Sequence, residues 1–210
     1  MRHAEVRYFE GVAPTEVALT ERGRAQAEAA RDALAGVAFD RVLVSGLRRT
    51  LETAAVVAPG REPQHLSAFR EIEGSDLRSE DPAAVREMMM AAFRGAVPHE
   101  LPFLGGETIG AFLDRVIPAL ESLVADEWDT ALVVVHGGTN RAILGYALTG
   151  ERVFLGGLEQ SPACINVVDV GADWIVRAVN HTPYDPAHRS APRETTMELL
   201  WHEYEHARSQ

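Results

Sequence analysis

Ala131-Leu132-Val133-Val134-Val135-His136-Gly137-Gly138 is the stretch on which the fold turns. Five apolar residues in succession, with Asp129 before them and His136 and a glycine pair after, predict a strand buried on both faces, the kind found in parallel sheets flanked by helices. In open α/β sheets ligands bind beyond the carboxyl ends of the strands, which is where His136 falls. A second run, Arg41-Val42-Leu43-Val44, ends in Ser45-Gly46 and leads into a helix expected over 48–57, stopped by Pro59-Gly60.

Outward from these runs, residues 21–35 are rich in Ala, Arg and Glu, with Thr20 as N-cap and Gly36 closing the helix. Over 108–125, Ile109, Phe112, Leu113, Val116, Leu120, Leu123 and Val124 recur at helical spacing, and Pro118 inside that pattern predicts a kink or a break. Segments 165–170 and 174–179 are β-rich and separated by Gly171-Ala172-Asp173, as in a hairpin or adjacent strands. A last helix is expected over 194–206. Residues 10–20 look irregular, as do residues 76–106, which carry Pro82, Pro98, Pro102 and the cluster Met88-Met89-Met90. Excursions of the second length in a compact domain are often lids or binding loops.

A chain of 210 residues, 46% hydrophobic and 24% charged, suits one domain, or one domain with an inserted cap. No apolar run approaches the roughly 20 residues that span a bilayer. The start, Met1-Arg2-His3-Ala4-Glu5, has no apolar core of a secretory signal. Cys164 is the single cysteine, which excludes an internal disulfide and a multi-cysteine metal cluster, so a reducing, cytoplasmic setting is expected. The net charge of −11 argues against nucleic acid and anionic membranes as partners, yet leaves room for one small cationic pocket.

The polar residues that follow the apolar runs suit phosphoryl transfer. Residues 45–49 follow one strand and His136-Gly137-Gly138 another, and Arg2-His3 takes an equivalent place if a strand precedes it. Arginines hold phosphate oxygens through forked hydrogen bonds. A neutral imidazole attacks phosphorus, and Gly137 and Gly138 let backbone N–H groups approach an anion. Taken singly the same residues read blandly: Arg48 and Arg49 as helix-surface charges, Glu71 as a solvated carboxylate.

Together they carry a resemblance. Arg2-His3-Ala4-Glu5 resembles the Arg-His-Gly motif of the histidine phosphatase (phosphoglycerate mutase-like) superfamily, and Ser45-Gly46-Leu47-Arg48-Arg49-Thr50-Leu51-Glu52-Thr53-Ala54 resembles its second motif. Phe69-Arg70-Glu71-Ile72 is similar to its acid-bearing segment, Gly105-Gly106-Glu107-Thr108 to its Gly-Glu-Ser helix start, and Val135-His136-Gly137-Gly138 to its second histidine motif. The five stand in the family's order over most of the chain. The resemblance implies an α/β fold, a three-layer α/β/α sandwich with a mostly parallel central sheet, in one domain over 1–210 with 76–106 as cap. It implies hydrolysis of a small phosphorylated metabolite through a phosphohistidine at His3, with no metal or organic cofactor. Arg2, Arg49, His136 and Gly137 would bind the phosphoryl oxygens, and Glu71 would protonate the leaving oxygen. Arg49, rather than Arg48, matches by its distance from Ser45.

Four departures from the family pattern bear on these expectations. An apolar first strand is usual before the Arg-His pair, and here one residue, Met1, precedes it, which predicts an unfilled slot in the sheet and a poorly anchored His3. Ala4 replaces a glycine. Phe9 stands where many members have a phosphate-contacting asparagine, which leans against a mutase. Gly74 follows Glu71 one residue early, which makes Glu73 a rival acid and Glu107 the next choice. Phosphoglycerate mutase-type transfer and an inactive phosphate-binding protein are the alternatives to hydrolysis. Arg78, Arg86, Arg94 and His99 either read a second anionic group or form a solvated face, and oligomeric state is left open.

His202-Glu203-Tyr204-Glu205-His206 matches the H-E-x-x-H zinc-protease pattern, but nothing downstream supplies a third ligand, so a polar terminal helix is the expected reading. The Asn180-His181-Thr182 triplet formally matches a glycosylation acceptor. No G-x-G-x-x-G follows the first strand, which sets a dinucleotide-binding enzyme aside.

Overall fold

The computed structural model describes residues 1–9, 11–77, 80–190 and 193–209. From the N-terminus the elements are α1 (Glu21–Ala33), β1 (Arg41–Val44), α2 (Arg48–Val57), β2 (Gln64–His65), α3 (Pro82–Ala92), β3 (Ala96–Val97), α4 (Ile109–Ala125), β4 (Ala131–Val134), α5 (Gly137–Thr149), β5 (Phe154–Leu155), β6 (Ile165–Val170), β7 (Trp174–His181) and α6 (Thr196–Arg208). Side chains alternate along a strand, and that alternation sorts the helices into layers. Val42, Val44, Leu132 and Val134 pack with Ala27 and Ala30 of α1 and with Ala54 and Val57 of α2. Leu43 and Val135 join the opposite cluster with Phe112, Leu113 and Val116 of α4 and Ala142 of α5. The result is the expected three-layer sandwich.

Strand β1 pairs in parallel with β2 and β4, with Val44 opposite Val134. Ser45 and His136 therefore emerge at the same carboxyl edge. The slot expected beside β4 is not left open at this edge. Arg2 bridges Val135 in parallel. His3 N donates to Val135 O at 2.8 Å, and Val135 N donates to Met1 O at 2.9 Å. On the other side Arg2 N donates to Cys164 O at 3.2 Å and Ala163 N to His3 O at 3.0 Å. Three residues thus do the work of a strand end, because the N–H and C=O of His3 and the N–H of Arg2 all find backbone partners on neighbouring segments. The poor anchoring expected for His3 is corrected.

Helix α4 runs unbroken through Pro118. An interior proline costs about 3 kcal/mol, whereas the same helix buries Ile109, Phe112, Leu113, Val116, Ile117, Leu120 and Leu123, each worth roughly 1.5–3 kcal/mol. Packing wins over the missing hydrogen bond. Segments β6 and β7 form the antiparallel hairpin expected around 171–173. Residues 76–106 hold α3 and β3, the latter paired with β5. Met89 of α3 is fully buried, and Met88, Met90 and Phe93 pack against the same cluster. Helix α6 opens on a capping box between Thr195 and Glu198. No helix among the described residues is long and apolar enough to cross a membrane.

Candidate active site

The carboxyl edge of the sheet brings His3 and His136 together, with ring centroids 5.3 Å apart. Both are buried, at 1% and 0% exposure. His3 Nδ1 lies 2.7 Å from the Ala4 carbonyl, which only accepts, so the proton sits on Nδ1 and the lone pair on Nε2. Burial, followed by the charges of Arg49, His136 and Arg2, holds the His3 imidazolium well below its ordinary pKa, so the ring is neutral at physiological pH. His136 is pushed the same way, by burial first and then by Arg49, Arg2 and Arg115. Its Nε2 is 2.7 Å from Ser45 Oγ, while its Nδ1 has no hydrogen-bond partner. Thr50, on the first turn of α2, spends its hydroxyl proton on Leu47 O, so the single Ser45 proton goes either to Thr50 Oγ1 at 3.2 Å or to His136 Nε2 at 2.7 Å.

Arg49, 4% exposed, donates from Nη1 to Pro14 O at 2.7 Å and keeps a buried Nε without a partner. Its neighbour Arg48 points outward and pairs with Glu52 one helical turn on, at 2.7 Å. Arg2 donates to Gln160 O through Nη1, and its buried Nε is also unpartnered. Orphaned guanidinium N–H groups beside two neutral imidazoles form a site built for an anion. A positive pocket on an acidic chain agrees with the composition.

Glu71 comes to the amino end of α5, where its Oε2 accepts from Gly138 N at 3.0 Å and its Oε1 from Ile72 N at 3.1 Å. A Cβ on residue 138 would stand 2.3 Å from Oε1, so glycine there leaves the space this carboxylate occupies. Glu73 is exposed. Glu107, the third choice as acid, is already engaged: Arg115 meets it at 2.8 Å. The same Arg115 donates to the carbonyls of Ala68, Arg70 and Glu71, and Thr139 Oγ1 donates to Phe69 O, so two side chains clamp the backbone that carries Glu71.

Arg141 was missed by sequence reasoning. It is 2% exposed, donates from Nε to Gly156 O at 3.1 Å and lies 4.7 Å above the Phe93 ring. Its Nη1 has no partner. Measured from the point where a Cβ on residue 137 would sit, Nη1 is 3.1 Å away and Arg2 Nε 3.7 Å, so the two guanidiniums flank Gly137. Burial lowers its pKa to about 10, which leaves it charged at neutral pH. An arginine five residues after His136, just ahead of Ala142-Ile143-Leu144, is the signal that points to it. Arg86, Arg94 and His99 are exposed, as the solvated-face reading has it, and Arg78 lies outside the described residues. Phe9 packs on Tyr204 at 5.7 Å and offers no polar ligand. His202, on α6, meets Glu194 at 3.2 Å, and no group of three or more His, Cys, Asp or Glu able to hold a metal occurs among the described residues.

Two buried neutral imidazoles make stability depend on pH. In the unfolded chain both titrate near the ordinary histidine pKa, about 6.5. Their depressed folded values mean the unfolded state binds more protons below that pH, so their contribution is present above about 6.5 and lost as pH falls. Unfolding free energies of the native chain and of His3→Gln, measured from pH 8 to 5, are expected to converge below pH 6.5. The native chain should lose an extra ~1.4 kcal/mol per pH unit there. Parallel curves would show that His3 is not held neutral.

A parallel sheet presenting two imidazoles and several buried guanidiniums at its carboxyl edge defines an α/β enzyme that handles phosphate. A family profile of the histidine phosphatase superfamily (branch 1) matches residues 1–182, and the chain belongs to that superfamily. The adenosylcobalamin/alpha-ribazole phosphatase of Salmonella typhimurium is 31% identical over 186 residues, which cover 81% of this chain and 88% of the relative. Phosphoserine phosphatase 1 of Hydrogenobacter thermophilus is 30% identical over 162 residues, 71% of this chain and 74% of the relative. The crystal structure of the alpha-ribazole phosphatase from Shigella flexneri shares the fold with a TM-score of 0.65 at 24% identity, covering 86% of this chain and 94% of that one. By class the chain is a phosphatase.

Proposed function

We propose that the chain hydrolyses a small phosphomonoester through a phosphohistidine at His3. The observation that carries this reading is the His3 ring itself: neutral, with Nδ1–H fixed on Ala4 O and Nε2 left free beside unpartnered guanidinium N–H groups. Nε2 attacks phosphorus as the ester P–O bond breaks, and Glu71 delivers its proton to the departing oxygen. Arg2, Arg49, His136 and the amide end of α5 at Gly137 hold the three phosphoryl oxygens. For His136 the tautomer that suits an anion has Ser45 donating to Nε2 and Nδ1–H turned to the phosphoryl group. In the second half, water attacks phosphorus, the N–P bond breaks, and Glu71 takes the proton of that water. Residues 76–106 act as the cap, a role supported by Phe93 lying on Arg141, and the setting is cytoplasmic. Hydrolysis is favoured over mutase-type transfer because Phe9, packed on Tyr204, supplies no polar ligand where mutases have a phosphate-contacting asparagine.

The test is the dependence on leaving group. An alkyl phosphate expels an oxygen of high pKa that needs a proton, whereas nitrophenolate departs unaided. In single-turnover experiments Glu71→Gln should slow phosphorylation of His3 strongly with an alkyl phosphate and mildly with the nitrophenyl ester. Glu73→Gln, at an exposed position, should show no such contrast. If the contrast follows Glu73 instead, the acid is misassigned; if neither variant shows it, neither carboxylate is the acid.

A further inference from the structure

Residues beyond 182 lie outside the family match, and α6 among them touches Tyr8 and Phe9, a few residues after His3. Met197, Trp201 and Tyr204 are buried in the core that holds Val85 and Met89 of α3, and Tyr204 Oη donates to Leu77 O at 3.2 Å. Glu203 faces elsewhere. Half buried, it accepts the N–H of Tyr8 through Oε2 at 3.2 Å. Tyr8 lies five residues after His3, and its ring sits over the Arg49 guanidinium, with Cζ 5.7 Å from the ring centroid. Phe9, edge-on to Tyr204, ties the next residue to the same helix. Burial pushes the Glu203 carboxyl above its ordinary range and Glu5 adds to this, while the Tyr8 amide, Arg2 and Arg7 pull it down. A carboxylate withdrawn from water costs stability unless its contact returns something.

What the contact governs is Arg49. That guanidinium is held at one end by Pro14 O, carries an unpartnered buried Nε, and is covered on its face by Tyr8. We propose that Glu203 is a positioning residue for the phosphoryl pocket: by holding the Tyr8 N–H it keeps the Tyr8 ring on Arg49 and fixes the guanidinium in the pose that receives phosphoryl oxygens. The inference rests on the reading of Arg49 as a phosphoryl ligand. Because Arg49 meets the same oxygens in the ground state and in the transition state, loss of its alignment weakens binding of both. The signature is a change in KM rather than in kcat.

Two readouts on the full-length chain test this: calorimetric binding of inorganic phosphate and steady-state turnover of nitrophenyl phosphate. Glu203→Ala is expected to raise the phosphate Kd and KM together about five- to tenfold, with kcat within about twofold of the native value. Glu203→Gln, whose amide oxygen still accepts the Tyr8 N–H, should keep Kd and KM within about twofold. Tyr8→Ala should reproduce the loss, and Glu203→Ala should add nothing in that background, because the effect passes through Tyr8. Equal losses from Glu203→Ala with and without the Tyr8 ring, or unchanged Kd and KM, overturn the proposal. Should Glu203→Ala fail to fold, an unchanged phosphate Kd in Tyr8→Ala does the same. A native chain that binds phosphate without turnover would sink the hydrolase reading and leave this one standing. One that binds no phosphate would overturn both.

Discussion

Replacement of His3 by alanine is expected to abolish turnover and the covalent intermediate together. Brief incubation of the native chain with substrate should leave protein-bound phosphate that is acid-labile and alkali-stable, as a phosphoramidate is. His3→Ala should carry none, with turnover down by about 10⁴-fold or more, the scale for removing a covalent nucleophile. The geometry explains why no neighbour substitutes. His136 is the imidazole beside His3, and in the tautomer proposed above its Nε2 accepts from Ser45 at 2.7 Å while its Nδ1 carries the proton, so neither nitrogen has a lone pair to offer. Its backbone follows β4, whereas His3 is held between Val135 and Ala163. Retained labelling in His3→Ala would move the nucleophile elsewhere.

The second large effect is expected at Arg49. Arg49→Ala should lower kcat/KM by about 2–4 kcal/mol, carried mainly by KM, the scale for truncating one partner of a buried, hydrogen-bonded charge pair. Arg48→Ala, one residue away, should change it by less than about 0.5 kcal/mol, since Arg48 is exposed and its ion pair with Glu52 lies on the helix surface. A pH profile adds a signed test. Arg49 is among the causes that depress the His3 pKa, so removing its charge should raise that pKa and move the acid limb of kcat/KM to higher pH. An unmoved acid limb would separate Arg49 from His3, and equal losses at 48 and 49 would reverse the helix register.

The fold was legible where local signals were strong. Residues 41–44 and 131–135 are short, apolar and ended by Ser-Gly and His-Gly-Gly, and the strands fall there. Thr20 caps α1 as its position before an Ala-rich run predicts. Pro118 does not split α4, because its cost is local and its compensation, the buried face of that helix, is tertiary. The seat of His3 was misjudged for a similar reason. Its partners are backbone atoms of Val135 and Ala163, which leave no mark on the residues around position 3. Motif order brought His3, Arg49, Glu71 and His136 to one edge. Arg141 was missed although its place five residues after His136 is a signal, whereas Arg115 and Glu203 were not legible, since on their own helices each reads as an ordinary charge. Their work is done on carbonyls, rings and amides far away in sequence.

The way His3 is seated also sets when the enzyme becomes an enzyme. Helix α1, strand β1 and helix α2 are neighbours in sequence, and they can collapse onto one another early, through small loops. His3 cannot join them so early. Its ladder bonds close on Val135 and Ala163, far along the chain, and such long closures cost more entropy than the short loops of α1, β1 and α2. Any helical, compact form in which that closure is still unmade is chemically silent. Returning phosphatase activity dates the moment at which distant parts of the chain have met, and far-ultraviolet ellipticity does not.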